Sequence, residues 1–133
     1  MFPAWYRNRL EAPMTASSLD VDEADLVRVD VLGDFPTLSL AVSGEVDSSS
    51  APTLRAHLDE VLDRGVTDLT VDLAGVTFLD SAGLCVLAAA HRRAVRSDVR
   101  LRVVATSRAV IRPMQITGLY ELLHVVTPAS GVA

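Results

Sequence analysis

Just past Asp25 the chain settles into alternation. Val27, Val29 and Val31 are separated by Arg28 and Asp30. A two-residue period of this kind predicts a strand with one buried face. Gly33-Asp34-Phe35-Pro36 carries turn residues. Leu38, Leu40 and Val42 then alternate with Ser39, Ala41 and Ser43. The short link makes the two strands an antiparallel hairpin. A loop is expected over Gly44-Glu45-Val46-Asp47-Ser48-Ser49-Ser50.

The period then changes. From about Ala51 to Arg64, Leu54, Leu58, Val61 and Leu62 recur at helical spacing, with a serine cap, Pro52 in the first turn and Gly65 as the stop. Leu69, Val71 and Leu73 restore the strand period, and a short loop should follow. A second helix is predicted from Ser81 to about Ser97, with Leu84, Leu87, Ala88, His91 and Val95 on one face. Leu101, Val103 and Ala105 mark a fourth strand. Ser107 should cap a third helix carrying Val110, Ile111, Met114 and Leu119, bent or shortened by Pro113 and closed by Gly118. His124 to Thr127 reads as a fifth, edge strand.

The predicted order is β-β-α-β-α-β-α-β. Alternating strands imply one wet sheet face, because a sheet covered on both sides shows near-continuous apolar runs. Right-handed crossovers in a sequentially ordered parallel sheet put the helices on one side. The expectation is therefore an α/β domain. Its mixed five-stranded sheet has the first strand antiparallel, the rest parallel, and the helices mainly on one face. Residues 1–23 are expected to be a flexible tail, 24–128 the folded domain and 129–133 a short C-terminal tail. Met1 and Met14 are both candidate start residues.

Composition narrows the functional classes. Of the 133 residues, 50% are hydrophobic but only 5% aromatic, so the core must be aliphatic. The net charge of −5 disfavours nucleic acid and anionic lipid as partners. All 12 basic residues are arginine, which with the abundant alanine and valine points to a GC-rich bacterial genome. Cys85 is the single cysteine, so no intramolecular disulfide can form. No apolar run reaches the roughly 20 residues that span a bilayer, and no signal-peptide core is present, so a cytoplasmic location is expected. His57, His91, His124 and Cys85 have no metal-ligand spacing, and neither a P-loop nor a Gly-rich dinucleotide fingerprint occurs. No Gly-x-Ser-x-Gly elbow surrounds Ser81, which argues against a serine hydrolase. An enzyme is not expected, and no cofactor is implied. Arg92, Arg93 and Arg96 form a basic patch late in the second helix, read as solvated charges near its C-terminus or as the rim of an interface.

The distinctive stretch is Phe78-Leu79-Asp80-Ser81-Ala82-Gly83-Leu84, where the third strand gives way to the second helix. Ser81 falls at the N-cap or in the first turn. The free amides and the dipole of that helix end favour an anion, so a phosphate on Ser81 could be held there. Gly83 is expected to keep the neighbouring surface low. Taken alone, Asp-Ser-x-Gly is most often just a cap.

In its order of motifs the chain resembles the STAS family, named for sulfate transporters and anti-sigma-factor antagonists. The resemblance rests on Gly44-Glu45-Val46-Asp47 after the second strand, Phe78 to Leu84, and Thr117-Gly118-Leu119 at the end of the third helix. It covers about Asp25 to Thr127. It implies an anti-sigma factor antagonist that binds an anti-sigma factor serine kinase and so frees a sigma factor. The kinase, using its own ATP and Mg²⁺, would phosphorylate Ser81 and end the binding, and a metal-dependent serine phosphatase would reset the switch. Carried over, the partner-binding residues are Glu45, Asp47, Asp80, Ser81, Ala82, Gly83, Leu84 and Cys85. Two positions depart from the common pattern: Ala82 stands where many members have a second serine or threonine, and Cys85 where glycine is frequent. The alternative use of such a domain is an unphosphorylated scaffold or an accessory subunit of a transport system. No sequence feature sets the oligomeric state.

Overall fold

A computed structural model describes residues 27–127. The strands are β1 (Val27–Asp34), β2 (Thr37–Val46), β3 (Asp68–Leu79), β4 (Arg100–Val104) and β5 (Val125–Val126). The helices are α1 (Ala51–Asp63), α2 (Ser81–Arg96), α3 (Arg108–Thr117) and the single turn α4 (Leu119–Leu122). The sheet order is β1-β2-β3-β4-β5, with β1 antiparallel to β2 and every later pair parallel. The tail residues 1–23 and 129–133 lie outside the described residues.

Register explains the two faces of the sheet. Val29 pairs with Val42, Leu40 with Val71, and Val71 with Val103. All five side chains are buried, in one core with Leu54 and Leu58 of α1, Leu87 of α2 and Met114 of α3. The intervening rows carry Asp30 against Ala41, Ala41 against Asp72, and Thr70 against Arg102, none of them buried. One aliphatic face therefore drives the packing, at about 25 cal/mol per Å² of apolar surface removed from water. Among the described residues no helix is long and apolar enough to cross a membrane.

Several local expectations change. Gly44, Glu45 and Val46 belong to β2, so the predicted loop shrinks to residues 47–50. No loop follows Leu73, because β3 runs unbroken to Leu79. Its pairing with β2 shifts register between Ala41 and Ser43 and again between Gly44 and Glu45. Each shift inserts one extra residue into β3, which is a β-bulge. The buried positions accordingly stretch to Leu73, Val76 and Leu79, a spacing of three. Asp72 Oδ1 accepts from Ala74 N at 2.9 Å across the first bulge. Gly75 is needed there, since a Cβ would lie 2.8 Å from Ser43 Cβ.

On α2 the buried residues are Gly83, Leu84, Val86, Leu87, Ala90 and Ala94, whereas Val95 is 65% exposed and Ala88 and His91 are half-buried. The core-facing stripe is thus rotated from the predicted one. Alanines, weak signals in a sequence, line it where α2 approaches α1 and the sheet. Pro113 is accommodated inside α3, and Gly118 closes that helix at φ 84°. Leu119 opens α4, and β5 shortens to two residues because His124 has a positive φ of 53°.

Candidate functional site

The candidate site is built where β2 and β3 end beside the start of α2. Val46 pairs with Leu79, and Asp80 N donates to Val46 O at 3.1 Å. The turn after β2 and the start of α2 are therefore held side by side, which brings Glu45 and Asp47 to the same end of the sheet as Asp80 and Ser81.

The N-cap of α2 is Asp80, not Ser81. Asp80 has extended backbone (φ −106°, ψ −169°), and its Oδ1 accepts from Ala82 N at 2.9 Å and Gly83 N at 3.4 Å. Ser81 is the first helical residue and is exposed. The expected phosphate cradle is consequently already occupied in part. Two of the amides that would hold an anion are bonded to the Asp80 carboxylate, so a group on Ser81 Oγ would stand beside an existing negative charge. Asp80→Ala should cost about 1 kcal/mol, the usual value of a lost N-cap, and Asp80→Asn less. Urea unfolding monitored by circular dichroism would show it as a lower midpoint.

Across the junction, Asp47 organises the four-residue turn into α1. Its Oδ1 accepts from Ser49 N at 2.9 Å, Ser49 Oγ at 2.8 Å and Ser50 N at 3.1 Å. Ser50 occupies the N-cap position of α1 but makes no side-chain cap bond. Its fully buried hydroxyl instead donates to Glu45 O at 2.8 Å and accepts from Asp47 N at 2.9 Å. The Ser49 hydroxyl, followed by the Ser50 amide, holds the Asp47 carboxyl below the usual carboxylate range, against a smaller opposing effect of desolvation.

A depressed folded-state pKa means that the unfolded chain binds the proton first. The stabilisation from Asp47 is therefore present above the ordinary aspartate pKa of about 4 and is lost as pH falls through the lower folded value. Asp47→Asn keeps an acceptor but removes the charge. Urea midpoints measured against pH should fall less steeply for this variant on the acid limb than for the parent chain. Equal slopes would exclude Asp47 as a contributor.

Gly83 and Leu84 are buried, which sets them apart from the rest of the carried-over residues. A Cβ on Gly83 would lie 2.8 Å from Val46 Cγ1 and closer still to Leu79 Cδ1. The missing side chain thus lets α2 sit down on the ends of β2 and β3. It serves packing beneath the surface rather than lowering the surface beside Ser81. Ala82 is half-buried, while Glu45, Ser81 and Cys85 are exposed. Cys85 follows Ser81 by one helical turn on the outward face.

Phe78, left out of the predicted binding set, pairs with Glu45 and is 46% exposed. An exposed phenylalanine carries a large apolar area that covering would remove from water. The sequence holds a weak signal for it. Phe78 lies one residue from Leu79 in a strand whose buried residue is Leu79, but the bulges blur that parity.

This arrangement offers an exposed hydroxyl directly after the capping Asp80 carboxylate. Residues 27–129 match the STAS domain family. The anti-sigma-B factor antagonist of Bacillus subtilis strain 168 is 30% identical over 105 residues, which is 79% of this chain and 95% of that protein. The anti-sigma-F factor antagonist RsfB of Mycobacterium tuberculosis is 35% identical over 95 residues, 71% of this chain and 77% of that protein. Among solved structures, an anti-sigma factor antagonist from Mycobacterium paratuberculosis superposes with a TM-score of 0.70 at 31% identity, covering 74% of this chain and 84% of the other. The matched span takes in the whole described sheet, its helices and the Asp80-Ser81 junction, and the chain belongs to the STAS-domain family.

Proposed function

We propose that this chain is an anti-sigma factor antagonist switched at Ser81. In its unphosphorylated form it binds an anti-sigma factor that is also a serine kinase, and the sigma factor is released. Transfer of the γ-phosphoryl group of ATP to Ser81 Oγ, with loss of the hydroxyl proton and departure of ADP, ends that binding. A metal-dependent serine phosphatase restores the hydroxyl. The observation that carries this reading is the exposed Ser81 at the first position of α2, directly after an aspartate whose carboxylate already caps the helix. Glu45, Phe78 and Cys85 complete the exposed surface around it.

The physical basis is an asymmetry between the free and bound states. Phosphorylation adds about −1.5 to −2 charges. In the free domain that charge stands in water. Under a covering partner it must be desolvated next to Asp80, a penalty of several kcal/mol unless cations meet it.

Intact-mass and phosphopeptide spectrometry of the chain isolated from cells, with and without stress, tests the proposal. The expected result is phosphate on Ser81 at an occupancy that changes with stress. Absence of phosphate under every condition, and also after incubation with candidate anti-sigma kinases and ATP, would sink the switch and leave an unswitched scaffold.

A further inference from the structure

A second surface lies at the other end of α2. Arg92 follows Ser81 by eleven residues, about 17 Å along a helix. Here α1 and α2 flank a cleft of about 220 Å³. Leu58, Val86, Ala89 and Ala90 give it aliphatic walls, and four arginines line it against a single aspartate. That is an excess of three positive charges on a chain whose net charge is −5.

The charges are unequally committed. Asp59 lies 3.8 Å from Arg55 Nε and 3.6 Å from Arg93 Nη1, and Arg93 also bonds to Asp63. Among the described residues, neither Arg92 nor Arg96 has a carboxylate within ion-pair distance. Both are exposed, and they sit one turn apart on the same side of α2. The helix dipole accounts for a cation in the last turn, where Arg96 lies, but Arg92 precedes that turn.

We propose that this cleft docks an acidic peptide segment of a protein partner. The Cβ atoms of residues one turn apart on a helix, as Arg92 and Arg96 are, lie roughly 6 Å apart. Carboxylates two residues apart in an extended segment lie about 7 Å apart and match it. Guanidinium forks take carboxylates bidentately. The short side chains of Ala89 and Ala90 in its lining let a backbone approach closely. The cleft is smaller than the roughly 300–1,000 Å³ of small-molecule sites, so it suits one or two side chains of a longer ligand. This surface is independent of the Ser81 proposal.

The test titrates the ¹⁵N-labelled full chain at low ionic strength with N-acetyl-hexaglutamate amide. Shifts should concentrate on the Arg92 and Arg96 Nε–H signals and on the Ala89 and Ala90 amides. The double variant R92Q/R96Q should weaken binding about tenfold, as expected when two exposed ion pairs are lost together, with its melting temperature unchanged. A control variant, R100Q/R102Q, should bind like the parent chain. Shifts spread evenly over all arginines, no shifts, or equal weakening in the control would overturn the proposal. Displacement of the peptide by inorganic phosphate at matched concentration would make this a small-anion site and overturn it as well.

Discussion

Ser81→Glu is expected to weaken binding of the anti-sigma partner at least about tenfold, the effect of only about 1.4 kcal/mol. Ser81→Ala should bind like the unmodified chain and resist inactivation by kinase and ATP. The geometry supports that sign. The amides of Ala82 and Gly83 are already taken by the Asp80 carboxylate, so a new anion at position 81 gains little from the helix end. It adds repulsion against Asp80 and must lose water when covered. Titration calorimetry with the purified anti-sigma factor reads the affinities. Circular dichroism should show both variants folded, because Ser81 is exposed and makes no core contact. Undiminished binding by Ser81→Glu, together with unchanged binding after stoichiometric phosphorylation, would refute the switch.

The largest loss of stability is expected at Gly83. Gly83→Val places a branched side chain where a single Cβ already meets Val46 and Leu79, both nearly inaccessible to solvent. Val46 is stiff, and Leu79 is held between strand and helix. Overpacking of this kind costs about 1–3 kcal/mol, and both neighbours it meets are buried side chains. Helix propensity works the other way, since glycine inside a helix is itself unfavourable by about 1 kcal/mol relative to alanine. Gly83→Ala should therefore be the milder change. Urea unfolding should give a midpoint for Gly83→Val well below the parent at an unchanged m-value. A parental midpoint would mean that α2 lifts from the sheet, or that Val46 and Leu79 yield, without cost.

Lifting α2 would also reach the function. Gly83, Val46 and Leu79 fix the end of α2 that presents Ser81, and Asp80 N is tied to Val46 O. Gly83→Val should consequently lower affinity for the partner more than its stability loss alone predicts at temperatures where the fold persists.

Much of this molecule was legible in the order of its residues. Val27, Val29 and Val31, then Leu38, Leu40 and Val42, then Leu69, Val71 and Leu73, mark three strands and their buried face, because a two-residue period admits one arrangement on a pleated sheet. Their alternation also foretold the uncovered second face. The motif order located Ser81 at the start of α2. What only the tertiary structure decided lies where that simple period fails. Two bulges stretch β3 through a segment that looks like a loop, because the partner strand, not the local sequence, supplies the hydrogen bonds that keep Leu73, Val76 and Leu79 extended. Asp80 rather than Ser81 became the cap because the strand runs to Leu79 and leaves Asp80 extended, with its carboxylate over the first amides. Gly83 proved to be a packing residue, since what an absent side chain makes room for is set by Val46 and Leu79, 37 positions earlier and four positions earlier in the chain.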